Sequence, residues 1–363
     1  MIAAAAGLSA STHAAGQRGP TKSSIKLGMA TRLDPDFLRF LKQIGIEWVA
    51  TSLVATQGTP PPPGTRFVGA DGALGGLGGP PGGPSGPWKE EELRSLIQQA
   101  EAAGLRLGNV MLHGFPNVIL GNSERDRDIE HVQQSIRLAG RLGIPVVEYN
   151  FFGVRNVEGL YKTPGRGGAI YRAFDQNRSK QDTPLPAMGT VNADEMWDRL
   201  RYFLKAVVPV AEESHVRLAL HPNDPPVPSH RGVAQPFASI DEWKRLVNFI
   251  RSPANGITLD TGVTAELGGQ VEEVIRYFGA RNCINHVHFR NVRTIVPRFN
   301  YIETFIDEGQ VNMLAAMRAL HDVGYAGMVV PDHSPAITGD SKGFGAWGYV
   351  FGYMKALLAA IES

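Results

Sequence analysis

From residue 25 to the C-terminus, short apolar runs alternate with longer amphipathic segments, and the alternation repeats eight times. This is the sequence form of consecutive βα units, because strands buried on both faces need helices to cover them. Strands are expected at 25–29, 48–53, 105–111 and 146–149, and in four later runs ending at His221, Asp260, His288 and Asp332. Between them, Asp34-Pro35 offers an N-cap and a proline at the first helical position, with Phe37, Leu38, Leu41 and Ile44 on the buried face. Further helices are expected at 90–103, 125–142, 193–213, 240–250, 272–278 and 311–323, and in a closing segment to Ile361. Eight such units predict an α/β fold, a parallel (β/α)8 TIM barrel spanning residues 25–363 as one domain. An open doubly wound sheet is the alternative. No GxGxxG joins a strand to a helix, which weakens its nucleotide-binding form.

Two long interruptions break the alternation. Residues 57–87 are too rich in glycine and proline for a helix or a central strand, and are expected as a lid or a disordered insertion. Residues 152–192 are expected as a second long loop carrying Arg155, Arg166, Arg172 and Arg178. Residues 1–24 are Ala-rich with a cleavage-like Ala14-Ala15 but no basic start, so they are expected as a disordered tail or the remnant of an export signal. A cytoplasmic location is the expectation, with export to the periplasm as the alternative.

In a parallel barrel the chemistry sits at the carboxyl ends of the strands. His221 in RLALHPND, Asp260 in GITLDTG, His288 in INHVHFRN and Asp332 in MVVPDHSP each close one of four consecutive strands. Two imidazoles and two carboxylates make a mixed nitrogen and oxygen site for Mn2+, Co2+, Ni2+ or Zn2+, and less readily Mg2+. Each has a plainer reading: an isolated histidine is commonly a satisfied polar group, and Asp260 before Thr-Gly suits an Asx-turn. His286 competes with His288. Both point to the same side of their strand, and His288 is favoured only by lying nearer its end.

Glu148, in the fourth strand, is read as a general base, a further ligand or half of a structural ion pair. His113 ends the third strand and is a candidate for a substrate hydroxyl or carboxylate. Arg290 is the expected anchor for an anionic substrate, because a guanidinium grips a carboxylate with two parallel bonds. His333, beside Asp332, is a candidate acid or base. Lys and Arg total 36 against 35 Asp and Glu, a formal net charge of +1. No bulk field therefore favours nucleic acid or an anionic membrane, and the expected partner is a small molecule. No apolar run is read as approaching the roughly 18 residues of a membrane span. The single cysteine, Cys283, excludes an intramolecular disulfide or a thiolate zinc cluster and reads as a small buried residue.

HPNDPP at 221–226, HVHFRNV at 286–292, PDH at 331–333 and EYNFF at 148–152 together resemble the mannonate dehydratases, within the xylose isomerase-like barrels. The resemblance implies a metal-dependent lyase that uses Mn2+, or another divalent ion such as Mg2+, Co2+ or Ni2+, to remove water from D-mannonate, giving 2-keto-3-deoxy-D-gluconate. It implies His221, His288 and Asp332 as ligands and His333 in the catalytic role. Asn223 of HPNDPP and Arg172 would join His113 and Arg290 on the sugar acid. Three positions depart from the family pattern. Asp260 stands where a ligand cysteine is usual, Glu148 stands where a cysteine precedes YNF, and the segment with the family's catalytic tyrosine reads GFGAWGY. Tyr349 is the only hydroxyl left there. A sugar isomerase or epimerase on the same barrel, or an inactive sugar-binding homologue, are the rival readings. A homo-oligomer is possible.

Overall fold

The computed structural model of the chain describes residues 23–53, 86–179, 183–184 and 189–363. The N-terminal tail and nearly all of the first glycine- and proline-rich loop lie outside them. Eight parallel strands close a barrel in chain order. They are β1 (Lys26–Ala30), β2 (Trp48–Ser52), β3 (Arg106–Leu112) and β4 (Val146–Tyr149), then β5 (Arg217–Leu220), β6 (Asn255–Asp260), β7 (Ile284–His288) and β8 (Met328–Val330). Pairing of Lys26 with Met328 and Leu27 with Val329 shuts the ring.

The helices lie where their caps and periodicity place them. On the outside are α1 (Pro35–Gln43), α2 (Glu90–Ala102), α3 (Pro116–Leu120), α4 (Arg125–Arg141) and α5 (Ala193–Glu213). They continue with α6 (Ile240–Phe249), α8 (Val271–Gly279), α9 (Met313–Asp322) and α10 (Phe344–Glu362), while the short α7 (Thr261–Glu266), starting at the end of β6, is buried throughout. Asp34 accepts from Phe37 N at 3.0 Å, with Pro35 opening α1. Asn192 and Glu195 form a reciprocal capping box at α5. α10 is long and apolar enough to cross a membrane, which the sequence reading did not anticipate. Here its Trp347, Phe351 and Met354 pack into the core and its Phe344 stacks on Phe40 of α1. Cys283 is buried.

Alternation along the strands sends Met29, Val49, Val110, Val147, Leu218, Ile257, Val287 and Val329 outward into the helix layer. The lumen is divided. Ala30, Ala50, Met328 and Val330 form a separate apolar cluster on β8, β1 and β2, while Asn109, Glu148, Thr258, Asp260, His286 and His288 are buried on β3, β4, β6 and β7. Gly28 makes this packing possible, because a Cβ there would lie 2.2 Å from Met328 Sδ.

The second long interruption, expected as a loop, contains regular structure. Leu160–Pro164 and Ile170–Asp175 pair as a hairpin, and Ile170–Asp175 pairs in turn with a second hairpin of Val292–Val296 and Asn300–Glu303. The result is a four-stranded antiparallel sheet built from the excursions after β4 and β7, called the cap sheet below. The hairpin after β7 has no counterpart in the sequence reading. Its partner strand lies more than a hundred residues away, so no local periodicity announces it.

Candidate active site

The four strand-end residues converge on His288 Nδ1. His221 Nε2 lies 3.1 Å from it, Asp332 Oδ1 3.6 Å and Asp260 Oδ2 4.0 Å. All four side chains are buried. His221 Nδ1 sits 2.6 Å from the carbonyl of Pro222, to which it can only donate, so Nε2 carries the lone pair and faces His288. On its other side His288 Nε2 lies 3.4 Å from Glu148 Oε1. His286 is one step deeper, 3.9 Å from Glu148 and edge-on to the His288 ring.

This donor set fits a divalent cation. Two nitrogens bound to one ion at about 2.1 Å stand about 3.0–3.4 Å apart, the spacing of the two imidazoles. Without an ion one imidazole can donate to the other across that 3.1 Å, and Arg290 lies against Asp260 and Asp332 at 3.1 and 3.3 Å. Among the described residues, four groups of three donor atoms lie within 4.8 Å of one another: Asp260, His288 and Asp332; Glu148, His221 and His288; Asp224, Asp332 and His333; and Asp224, Glu266 and Glu303. His221, Asp260, His288 and Asp332 would hold the ion.

The two oxygens of Asp260 face different ways. Oδ1 accepts from Val263 N at 2.8 Å and caps α7, while Oδ2 faces the site and lies 3.1 Å from Arg290 Nε. The alternation of β6 points the side chain inward, and the cap fixes which oxygen remains.

Arg290 does not reach toward the mouth as an anchor for an anionic substrate. Its side chain is only 1% exposed, and Glu266, Asp260, Asp332, Asp224 and Glu303 enclose it at 2.7 to 3.7 Å. Burial alone would lower its pKa, but these carboxylates outweigh burial and hold the guanidinium charged. Burial pushes the Glu266 carboxyl up, against the pull of Arg290. Gly262 is required here, since a Cβ would lie 2.7 Å from the guanidinium. Asp224, Glu266 and Glu303 come from three separate excursions, so the sequence reading had no signal for this enclosure.

His333 stands at the edge of the centre. Its Nδ1 lies 2.8 Å from Glu303 Oε2, and its Nε2 lies 2.8 Å from Arg172 Nη1 and 3.5 Å from Asp332 Oδ2. Burial opposes charge on Glu303, but Arg172 and His333 beside it hold its pKa below the usual range. Arg172 also lies 3.3 Å from Asp224 Oδ2, to which Tyr301 donates through Oδ1 at 2.8 Å. Arg155 reaches the same residue, donating to its carbonyl at 2.6 Å. Asp224 lies in HPNDPP without having been singled out. Glu303 was missed, and only the cap sheet brings it to His333.

Of the remaining expected residues, Asn223 and His113 are buried near the strand ends with hydrogen-bonding capacity to spare. Neither amide atom of Asn223, nor Nε2 of His113, has a hydrogen-bond partner among the described residues. Burial holds the His113 imidazole down to about 4, so it is neutral near pH 7. Tyr349 does not join the cluster. It is 42% exposed on α10, with its ring edge-on to Phe305. There it meets Arg166 and Asp307, and Arg166 bonds Asp307 at 2.7 and 3.1 Å.

The chain matches the model of the family described as D-mannonate dehydratase (UxuA) over residues 64–184 and 169–363. It is 30% identical over 308 residues to mannonate dehydratase 2 of Halalkalibacterium halodurans, covering 76% of this chain and 88% of that protein. The crystal structure of mannonate dehydratase from Streptococcus suis serotype 2 superimposes with a TM-score of 0.75 at 27% identity, covering 93% of this chain and 94% of that one. A xylose isomerase domain protein from Planctomyces limnophilus shares the fold at a TM-score of 0.55 and 13% identity, covering 94% of this chain and 99% of that chain.

Proposed function

The chain belongs to the D-mannonate dehydratase family, within the xylose isomerase-like TIM barrels, and from that premise we propose that it is a metal-dependent sugar-acid dehydratase. The proposed reaction converts D-mannonate to 2-keto-3-deoxy-D-gluconate and water, with Mn2+ as the first candidate cofactor and Mg2+, Co2+ or Ni2+ as others. One observation carries the reading: His221 Nε2, Asp260 Oδ2 and Asp332 Oδ1 gather on His288 Nδ1 beside His333, with two arginines at the edge.

A divalent ion bound there supplies Lewis acidity toward the substrate carboxylate and its neighbouring hydroxyl, acidifying the proton on the carbon between them. His333 is the residue to take that proton. His333 Nδ1 stands 2.8 Å from Glu303 Oε2, and a proton held on that side leaves Nε2 as the basic atom, 2.8 Å from Arg172 Nη1. An incoming carboxylate draws the Arg172 guanidinium away and frees Nε2. Arg172 and Arg155, 15% and 20% exposed at their side chains, then hold the anion in place of the enclosed Arg290. The hydroxyl on the next carbon leaves with the C–O bonding pair and takes the proton that His333 removed, departing as water, and the enol that remains tautomerises to the 2-keto product. Asn223 and neutral His113 have donors and acceptors to offer the sugar hydroxyls.

The rival, isomerisation or epimerisation of a neutral sugar, draws on the carboxylate-rich centre but brings no anion to Arg172 and Arg155, which would then stay paired with Asp224 and Glu303. Incubation of the Mn2+-loaded protein with a panel of aldonic acids and neutral ketoses decides between them. The expected outcome is a 2-keto-3-deoxy acid from D-mannonate, detected by NMR. Turnover of a ketose with every aldonate untouched would favour the rival, and no product from any aldonate would end the dehydratase reading.

A further inference from the structure

The chemistry above leaves Glu148 without a task. Its carboxylate is 2% exposed and enters the lumen from β4, yet residues of three other strands meet it. Asn109 Nδ2 of β3 donates to Oε2 at 2.9 Å, and Thr258 Oγ1 of β6 donates to Oε1 at 2.8 Å. Both histidines of β7 face it, His288 Nε2 at 3.4 Å and His286 Nε2 at 3.9 Å. Thr258 and His286 lie two residues before Asp260 and His288 on the same strands, so they belong to the layer of the lumen below the strand ends. Glu148 is bonded into that lower layer, beneath His288.

From this geometry we propose that Glu148 is a positioning residue, neither base nor ligand, that fixes the tautomer and orientation of His288. A neutral His288 that offered Nδ1 to the ion would carry its proton on Nε2, 3.4 Å from Glu148 Oε1, and Nδ1 is the atom on which His221, Asp260 and Asp332 converge. A carboxylate behind a metal-binding histidine also raises its basicity and holds its ring. Asn109 and Thr258 keep the carboxylate from turning upward to become a ligand itself. This assignment rests on the metal-centre reading.

The test is Mn2+ binding by calorimetry on the full chain stripped with chelator. Glu148→Gln keeps the shape but turns an amide donor toward its neighbours, and it is expected to weaken Mn2+ binding 10- to 100-fold. Thr258→Val, which loosens Glu148 without touching His288, is expected to give a smaller loss in the same direction. The metal-free unfolding temperature of each variant, compared with the wild type, separates this effect from general damage. Glu148→Gln binding Mn2+ within about twofold of wild type overturns the assignment. If His221→Ala and Asp332→Asn abolish binding in that same series, the metal centre survives and only the role of Glu148 falls. If the wild-type chain takes up no divalent ion, both fall together. Should Glu148→Gln fail to fold, nitrogen-15 spectra of histidine in the Mg2+-loaded wild type decide the matter. A protonated Nε2 on His288 supports the assignment, and a protonated Nδ1 overturns it.

Discussion

A residue's chemistry in this lumen depends on what stands behind it. His221, Asp260, His288 and Asp332 were legible in the sequence because each closes an apolar run, and a strand's period of two carries such a residue inward. Arg290 closes the same motif as His288, and its enclosure was not legible for the converse reason. Sequence places a guanidinium near the centre, but the carboxylates that absorb it come from Asp224, Glu266 and Glu303, far apart in the chain. His113 offers a test at this scale. Burial holds its imidazole down to about 4, against the usual 6.5. As pH falls, the unfolded chain takes up this proton first, so the associated stability is fully present above pH 6.5. It is lost between there and about pH 4, by up to about 3 kcal/mol. Glu266, whose carboxyl is pushed up by burial, works in the opposite direction and is common to the proteins compared. The urea midpoint of the wild type should therefore fall more steeply from pH 7.5 to 4.5 than that of His113→Asn. Parallel curves would mean that His113 titrates normally.

At the scale of elements, the barrel was legible and the cap sheet was not. Barrel strands announce themselves by apolar runs between capped helices, which are local signals. The cap sheet joins residues 160–175 to residues 292–303, and its pairing is decided by contacts across more than a hundred residues. Glu303 and Arg172 owe their places beside His333 to that pairing. The sheet is tied down at its turn by Arg166 on Asp307, a pair 45% and 26% exposed. Exposed pairs of this kind contribute about 0.2–1 kcal/mol, so Arg166→Ala should leave global stability almost unchanged. It should nonetheless speed amide exchange across residues 160–175 while the barrel strands stay protected, because the cap opens as its own unit. Unchanged exchange in the cap, or equal acceleration in the barrel, would contradict that picture.

For the molecule as a whole, the centre stores more carboxylate than guanidinium. Asp224, Asp260, Glu266, Glu303 and Asp332 crowd around Arg290, with Arg172 and Arg155 at the rim. A cation that binds the folded chain and not the unfolded one stabilises by about 2.7 kcal/mol at a free concentration a hundred times its Kd. The unfolding temperature should rise with Mn2+ and return to its starting point with chelator. A flat response across the titration would remove the cation from the account. The division of the lumen bears on which sugars can be told apart. Ala30, Ala50 and Val330 form a wall with no side-chain donor or acceptor, opposite a wall crowded with both. Under the proposed function, a polyol bound between them would be read along one edge only. A hydroxyl inverted toward the blank wall would shed its water and find no replacement, at about 1–3 kcal/mol, a discrimination of roughly 5- to 150-fold between the two epimers at that carbon.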